Sequence, residues 1–178
     1  MNKTLVIYKS NYGSTEQYAK WISTSLKADI LNYSKVKKDI FSKYNTIIYG
    51  GGLYASGING ISIINKNFEL IKDKNIIIFT VGLSKTTNKE LFEPIINKNF
   101  HTDKIDKIQF FHLRGSINYK KLNLLHRTMM AMLHKTMLNK DETTLSSDDK
   151  LMLKTYGKEI DFSDVKTVLP LIKYVETL

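Results

Sequence analysis

Three short segments carry residue types able to hold a phosphorylated ring compound. The first is Lys9-Ser10-Asn11-Tyr12-Gly13-Ser14-Thr15. It offers the small hydroxyls of Ser10, Ser14 and Thr15, the amide of Asn11 and the glycine Gly13, just before a stretch with helical spacing. Small hydroxyl residues let the backbone wrap a phosphate, and a helix start presents free N–H groups and a positive dipole end. The segment is neither a GxxxxGK[ST] loop nor a GxGxxG fingerprint. A terminal monophosphate held by neutral donors fits it; an N-capping turn uses the same residue types. The second segment is Gly50-Gly51-Gly52-Leu53-Tyr54-Ala55-Ser56-Gly57, whose glycines permit close approach of a flat ligand and whose Tyr54 either stacks on a ring or covers neighbouring core. The third, Thr80-Val81-Gly82-Leu83-Ser84-Lys85, again pairs a glycine with free backbone amides. No catalytic side chain is assigned, so any redox chemistry must come from a bound organic cofactor.

Composition narrows the classes. The 178 residues are 42% hydrophobic and contain no cysteine. Disorder, disulfides, thiolate catalysis and Cys-ligated metals are thereby excluded. No apolar run approaches the roughly 18 residues of a membrane span. Met1–Tyr8 lacks the pattern of a signal peptide, so the chain reads as soluble and cytoplasmic. His101, His112, His126 and His134 make no HxxxH pair, and no metal site is expected.

The formal charge is +10, and its position is informative. From Lys107 to Lys140 the cations Lys107, Arg114, Lys120, Lys121, Arg127, Lys135 and Lys140 occur with no carboxylate between them. A one-signed segment suggests an anionic partner. It also carries the apolar positions Leu122, Leu125, Met129, Met132, Leu133 and Met137 at helical spacing. Such a helix can pack its stripe into the core and solvate its cations, or meet an anionic membrane, a docking protein or a carboxylate-bearing substrate. The charge also leaves as an alternative a non-redox basic module for nucleic acid or an anionic membrane, though aromatics are not interleaved with the cations in a nucleic-acid-binding pattern, which argues against a nucleic-acid partner.

Positioning these segments requires alternating elements. Buried strands are expected at Thr4–Tyr8, Asn45–Tyr49, Asn75–Val81 and Lys107–Leu113, with a weaker one at Asp29–Tyr33. Helices are expected at Ser14–Leu26, Ile58–Ile71, Asn88–Ile96, Tyr119–Leu138 and Ser147–Ile160. The pattern predicts an α/β, three-layer, doubly wound five-stranded parallel sheet of order 2-1-3-4-5, with a basic helical insertion after the last strand. Residues 1–161 form the domain, and the tail 162–178 packs on it or on a second subunit, which leaves an oligomer open. In this strand order ligands lie beyond the carboxyl ends of the first and third strands, where the three segments converge. A receiver domain would need acidic residues where Lys9-Ser10 and Gly50-Gly51 stand, and a hydrolase would need a GxSxG elbow that is absent.

The Ser10–Thr15 loop resembles the flavodoxin phosphate loop, roughly [ST]-x-T-G-x-T, through Ser10, Gly13 and Thr15, with Tyr12 in place of the usual threonine. The element order is similar over nearly the whole chain. Phe110-Phe111-His112-Leu113-Arg114-Gly115 and the Met-rich helix resemble the flavodoxin-domain branch related to menaquinone-dependent protoporphyrinogen oxidase. The resemblance implies one non-covalent FMN. Its phosphate would sit on Ser10, Asn11, Tyr12, Gly13, Ser14 and Thr15. Its ring would lie between Gly51, Gly52, Leu53, Tyr54, Ala55 and Gly57 on one side and Thr80, Val81, Gly82, Leu83 and Ser84 on the other. It also implies electron transfer to a redox partner protein or a quinone. An oxidase of the porphyrinogen type would use Arg114, Lys120, Lys121 and Arg127 to hold propionates. Ordinary flavodoxins are acidic, whereas this chain is basic, and Lys85 or the patch is expected near the ring, making its potential less negative.

Overall fold

The structure, a computed structural model, describes residues 3–86 and 91–178. Strand β1 (Thr4–Lys9) leads through a loop into α1 (Ser14–Leu26), and β2 (Asp29–Asn32) follows. Strand β3 (Thr46–Tyr54) turns back through the short β4 (Gly57–Ile58) into α2 (Ser62–Lys66) and α3 (Phe68–Ile71). After β5 (Asn75–Gly82) come α4 (Glu93–Asn99), α5 (Thr102–Ile105) and β6 (Ile108–Arg114). The remainder comprises β7 (Ser116–Asn118), α6 (Leu124–Leu138), α7 (Ser147–Thr155), β8 (Glu159–Asp161) and α8 (Leu169–Glu176).

The sheet runs β2-β1-β3-β5-β6, all parallel, with β4 hairpinned onto β3. This is the doubly wound order expected from the sequence. The apolar runs are continuous because both faces are covered. Alternation then sorts them: Leu5, Ile7, Ile47, Tyr49, Ile76 and Ile78 enter one core, while Val6, Ile48, Ile77, Phe79 and Val81 enter the other. Tyr18, Ala19 and Ile22 of α1 seal the second core together with Val168, Leu171 and Ile172. These last three residues belong to the tail 162–178.

Several boundaries differ from the sequence expectation. Gly50, Gly51 and Gly52 belong to β3 and not to a loop. A side chain at Gly50 would overlap the Phe79 ring of the neighbouring strand, so the missing Cβ serves packing. The single helix expected over Ile58–Ile71 is two short ones, with Ile64, Phe68 and Ile71 still facing the core. Of the expected helix Asn88–Ile96, residues 88–90 lie outside the described ones, and the helix observed is Glu93–Asn99. Helix α7 ends at Thr155, and the chain then forms β8, which pairs antiparallel with β7. That two-stranded ribbon escaped the sequence reading because each strand is only three residues long.

Candidate functional site

Helix α1 begins at an unusual corner. Its N-cap is Gly13, at φ 103°, a region where a Cβ is strained. Ser10 Oγ accepts from Gly13 N–H at 3.0 Å, which folds the loop back on itself. No side chain caps the helix, although Ser and Thr surround its start. Gln17 N–H bonds Gly13 O at 2.9 Å, while the amides of Ser14, Thr15 and Glu16 precede the first intrahelical bond. The capping explanation of these hydroxyls therefore fails. Ser14 Oγ instead bonds Ser116 Oγ at 2.7 Å and accepts from Ser116 N–H at 3.1 Å, tying α1 to β7.

The second wall is the β3–β4 hairpin. Its tip, Ala55 and Ser56, lies at φ 46° and 65°. Lys98 Nζ donates to Ala55 O and Asn99 Nδ2 to Ser56 O, both at 2.8 Å, so the end of α4 pins the tip. The Tyr54 ring folds over the Cα of Gly52. Burial raises the Tyr54 hydroxyl to about 12, so it is a neutral donor at physiological pH. The third wall follows β5. Gly115 N–H bonds Gly82 O at 2.7 Å and Arg114 Nε donates to Leu83 O at 2.8 Å, which fixes the turn through residues of β6 and its exit.

Helix α6 forms the fourth wall. Its residues His126, Met129, Met130 and Leu133, at the i, i+3, i+4, i+7 spacing of one face, look inward. His126 stacks on Tyr54 with ring centroids 4.6 Å apart and planes at 5°. Its Nδ1 lies 2.5 Å from Tyr12 OH. The same hydroxyl accepts Asn123 N–H at 3.4 Å, so it is free to donate its proton to the imidazole. Tyr12, Tyr54 and His126 thus clasp α6 to the two loops.

Between these walls lies a cavity of about 420 Å³, within the usual range for a small-molecule site. Ser10, Tyr12, Ser14 and Thr15 line one end; Gly52, Leu53, Tyr54 and Ala55 line the hairpin side. Val81, Gly82, Leu83 and Ser84 line the opposite side. Of the residues expected at a ligand, Asn11, Gly13, Gly51, Gly57 and Thr80 do not reach the cavity. Asn11 bonds Asn59 across the loops at 3.1 Å, Gly51 pairs with Lys9 of β1 and Thr80 of β5 within the sheet, and Gly57 pairs with Tyr54 in the hairpin. Thr80 Oγ1 bonds His112 Nδ1 at 2.6 Å beneath the site.

No Asp, Glu, Lys or Arg is among the described residues lining this cavity. The expected lysine beside the ring is not there: Lys85 N–H donates to Asp148 Oδ2 at 2.8 Å and its Nζ reaches Ser147 Oγ at 3.3 Å. The expected propionate patch does not line this cavity either. Arg114 stacks on Phe162 at 3.7 Å and faces a separate small cleft, while Lys120, Lys121 and Arg127 line neither cavity. Sequence reasoning missed the inward face of α6, Phe92, Met152 and the Ser116–Asn118 ribbon. Helical spacing marked Met129 and Leu133 as one stripe with Leu125 and Met132, but the structure splits them between two faces.

A doubly wound sheet with its cavity at the carboxyl edge, beside the opening of the first helix, is the arrangement of nucleotide-binding α/β proteins. A sequence profile described as "Flavodoxin domain" matches residues 5–145, and the chain belongs to that family. It is 34% identical over 113 residues to the uncharacterized protein MJ0298 of Methanocaldococcus jannaschii, an alignment covering 60% of this chain and 66% of that protein. Among solved structures it resembles a flavodoxin from the domain Archaea at 12% identity and TM-score 0.44, covering 85% of this chain and 94% of the other. It resembles the two-electron reduced flavodoxin of Megasphaera elsdenii at 12% identity and TM-score 0.46, over 61% and 84% of the two chains. A flavoprotein of Lactobacillus acidophilus in complex with FMN is 15% identical, with TM-score 0.40 and coverage of 64% and 93%.

Proposed function

We propose that the chain binds one FMN without a covalent link and passes electrons through it. The observation that carries this is the start of α1, uncapped by any side chain and opening beside an uncharged cavity. A phosphate dianion would complete those amides with charge-assisted bonds, which are about twice as strong as neutral ones. Ser10 and Thr15 line the same end and would add hydroxyl donors. The apolar middle of the cavity, including Leu53, Val81 and Leu113, takes a flat ring and excludes water. When bound, the flavin supplies the electron-accepting chemistry. The protein's part is to hold the phosphate, shield the ring and exert no local charge on it from the cavity wall.

The test compares riboflavin 5′-phosphate with riboflavin by quenching of flavin fluorescence. The phosphorylated form should bind about a hundredfold tighter, the worth of about 3 kcal/mol of phosphate contacts. Equal affinity, or no binding of either, would overturn the reading.

A second reading, a protoporphyrinogen oxidase-like enzyme that hands electrons to a quinone, is favoured by α6. A carrier that docks to partner proteins is served by an open ring edge. Here Met129, Met130 and Leu133, with Met152 of α7, cover the cavity with apolar side chains suited to a small hydrophobic acceptor. Reoxidation of the photoreduced holoprotein separates the two. A quinone acceptor should outpace a protein acceptor if α6 makes an enzyme, and the order should reverse if the chain is a carrier.

A further inference from the structure

Helix α6 is apolar on two sides. One side covers the cavity. The other points away from the protein: Leu124 is 80% exposed, Leu125 66%, Met132 66% and Leu138 61%. At 100° per residue, Leu124, Thr128, Ala131, Lys135 and Leu138 form one outward stripe, and Leu125 and Met132 form the next. Large apolar side chains grouped on an exposed face rimmed by polar residues mark an interaction surface. Its charges have one sign. Lys135 lies within the face, Arg127 borders it and Lys121 precedes it. Among the described residues no ion pair engages any of these three, whereas Lys140 is taken by Asp149 at 3.7 Å.

We infer that this face seats the protein on an anionic lipid surface. Leucine and methionine would enter the boundary between headgroups and acyl chains, while Lys121, Arg127 and Lys135 meet lipid phosphates around them. No helix among the described residues is long and apolar enough to cross a membrane, so the contact is lateral. A second copy of the chain fits less well. Pairing two α6 helices about a two-fold axis would bring their cations together with no carboxylate on the face to offset them, on chains that each carry +10. A nucleic acid would use the cations and leave the leucines in water. The inference stands whether or not the cavity holds a flavin.

The test is flotation of the full chain with vesicles of phosphatidylcholine alone and of phosphatidylcholine with about a third phosphatidylglycerol. The protein should float only with the anionic vesicles. The double substitution Leu125→Asp with Met132→Asp should weaken that binding at least about tenfold, since it places two charges where apolar side chains would be buried. Lys135→Glu should weaken it several-fold at low salt. Unchanged far-UV circular dichroism and melting temperature show that the variants fold. Absence of flotation overturns the inference. So does binding that salt abolishes and the aspartates leave intact, because that is plain electrostatic adsorption. A concentration-dependent dimer in sedimentation velocity, broken by the same aspartates, would assign the face to a second copy and likewise overturn it.

Discussion

The loop edge of the sheet and helix α6 close the same cavity by opposite means. The loop edge is held by strands buried on both faces, by backbone bonds such as Gly115 N–H to Gly82 O, and by α1, whose Tyr18 OH bonds Arg114 O at 2.7 Å. Helix α6 has a single buried residue, Met137, and is tethered by the Tyr12–His126–Tyr54 clasp and by its neighbour α7. On the proposed function, the difference separates two duties. A phosphate site gains from rigidity, because its donors must already point at the anion. A cover over a ring gains from weak attachment, because the ligand must enter. The loop edge should therefore report on global stability, and α6 on entry and release.

The most severe break on the rigid side is Gly50→Val. Its side chain would occupy the space of the Phe79 ring between two central strands. Overpacking there should cost about 3 kcal/mol and lower the melting temperature by several degrees. Leu125→Ala on α6, by contrast, should stay within about 0.5 kcal/mol, because it removes no buried contact. Comparable losses at the two positions would erase the distinction.

Acid should also act through the rigid side. His112 on β6 stacks on Phe92 at 3.6 Å and bonds Thr80, and burial lowers its ring to about 4. The unfolded chain titrates near 6.5, so between those values it binds the proton that the native state refuses. Stability should fall as pH drops through that window and level off below it. The loss should be of order 2 kcal/mol, reduced from the full shift by the ring's partial exposure. Denaturant melts at pH 7 and pH 4.5 should show it, and His112→Phe should flatten the part of the slope due to this residue.

A smaller effect is expected at the start of α1. Gly13→Val meets no neighbour, so its cost comes from forcing a β-branched residue into positive φ. Flavin affinity should fall about tenfold, the worth of 1–2 kcal/mol of backbone strain, with little change in the sheet's melting. Titration with riboflavin 5′-phosphate checks it; unchanged affinity would show that the loop geometry does not matter to the ligand.

The contrast between the two regions also explains what the sequence disclosed. Leu5-Val6-Ile7, Ile47-Ile48 and Ile76-Ile77-Ile78 are too apolar and β-branched to be anything but strands buried on both faces, so the order of the sheet was legible. The α1 boundaries, Ser14 to Leu26, were readable from the same periodicity. The triple glycine misled, because it looks like a loop while continuing β3, where Gly50 leaves room for the Phe79 ring of β5. The cavity's fourth wall was hidden for another reason. Met129 and Met132 carry similar apolarity, and only the packing of α6 over the loops determines which one faces the site. The clasp joins Tyr12 to His126, far apart in the chain, and no local pattern marks such a pair.

The most delicate test of the contrast is Tyr12→Phe. The substitution keeps the ring that meets Tyr54 edge-on at 6.4 Å and removes only the hydroxyl. That hydroxyl bonds His126 Nδ1 and accepts Asn123 N–H, so both links run from the loop before α1 to the start of α6. Losing them should cost about 1 kcal/mol locally, and amide hydrogen exchange in α6 should quicken about fivefold. The amides of β3 and β5 should exchange at their former rates, because their bonds open only with the whole sheet. Flavin dissociation should quicken by a similar small factor with the association rate nearly unchanged. If the sheet amides quickened as much as those of α6, the helix would share the stability of the core and could not serve as a separately opening cover.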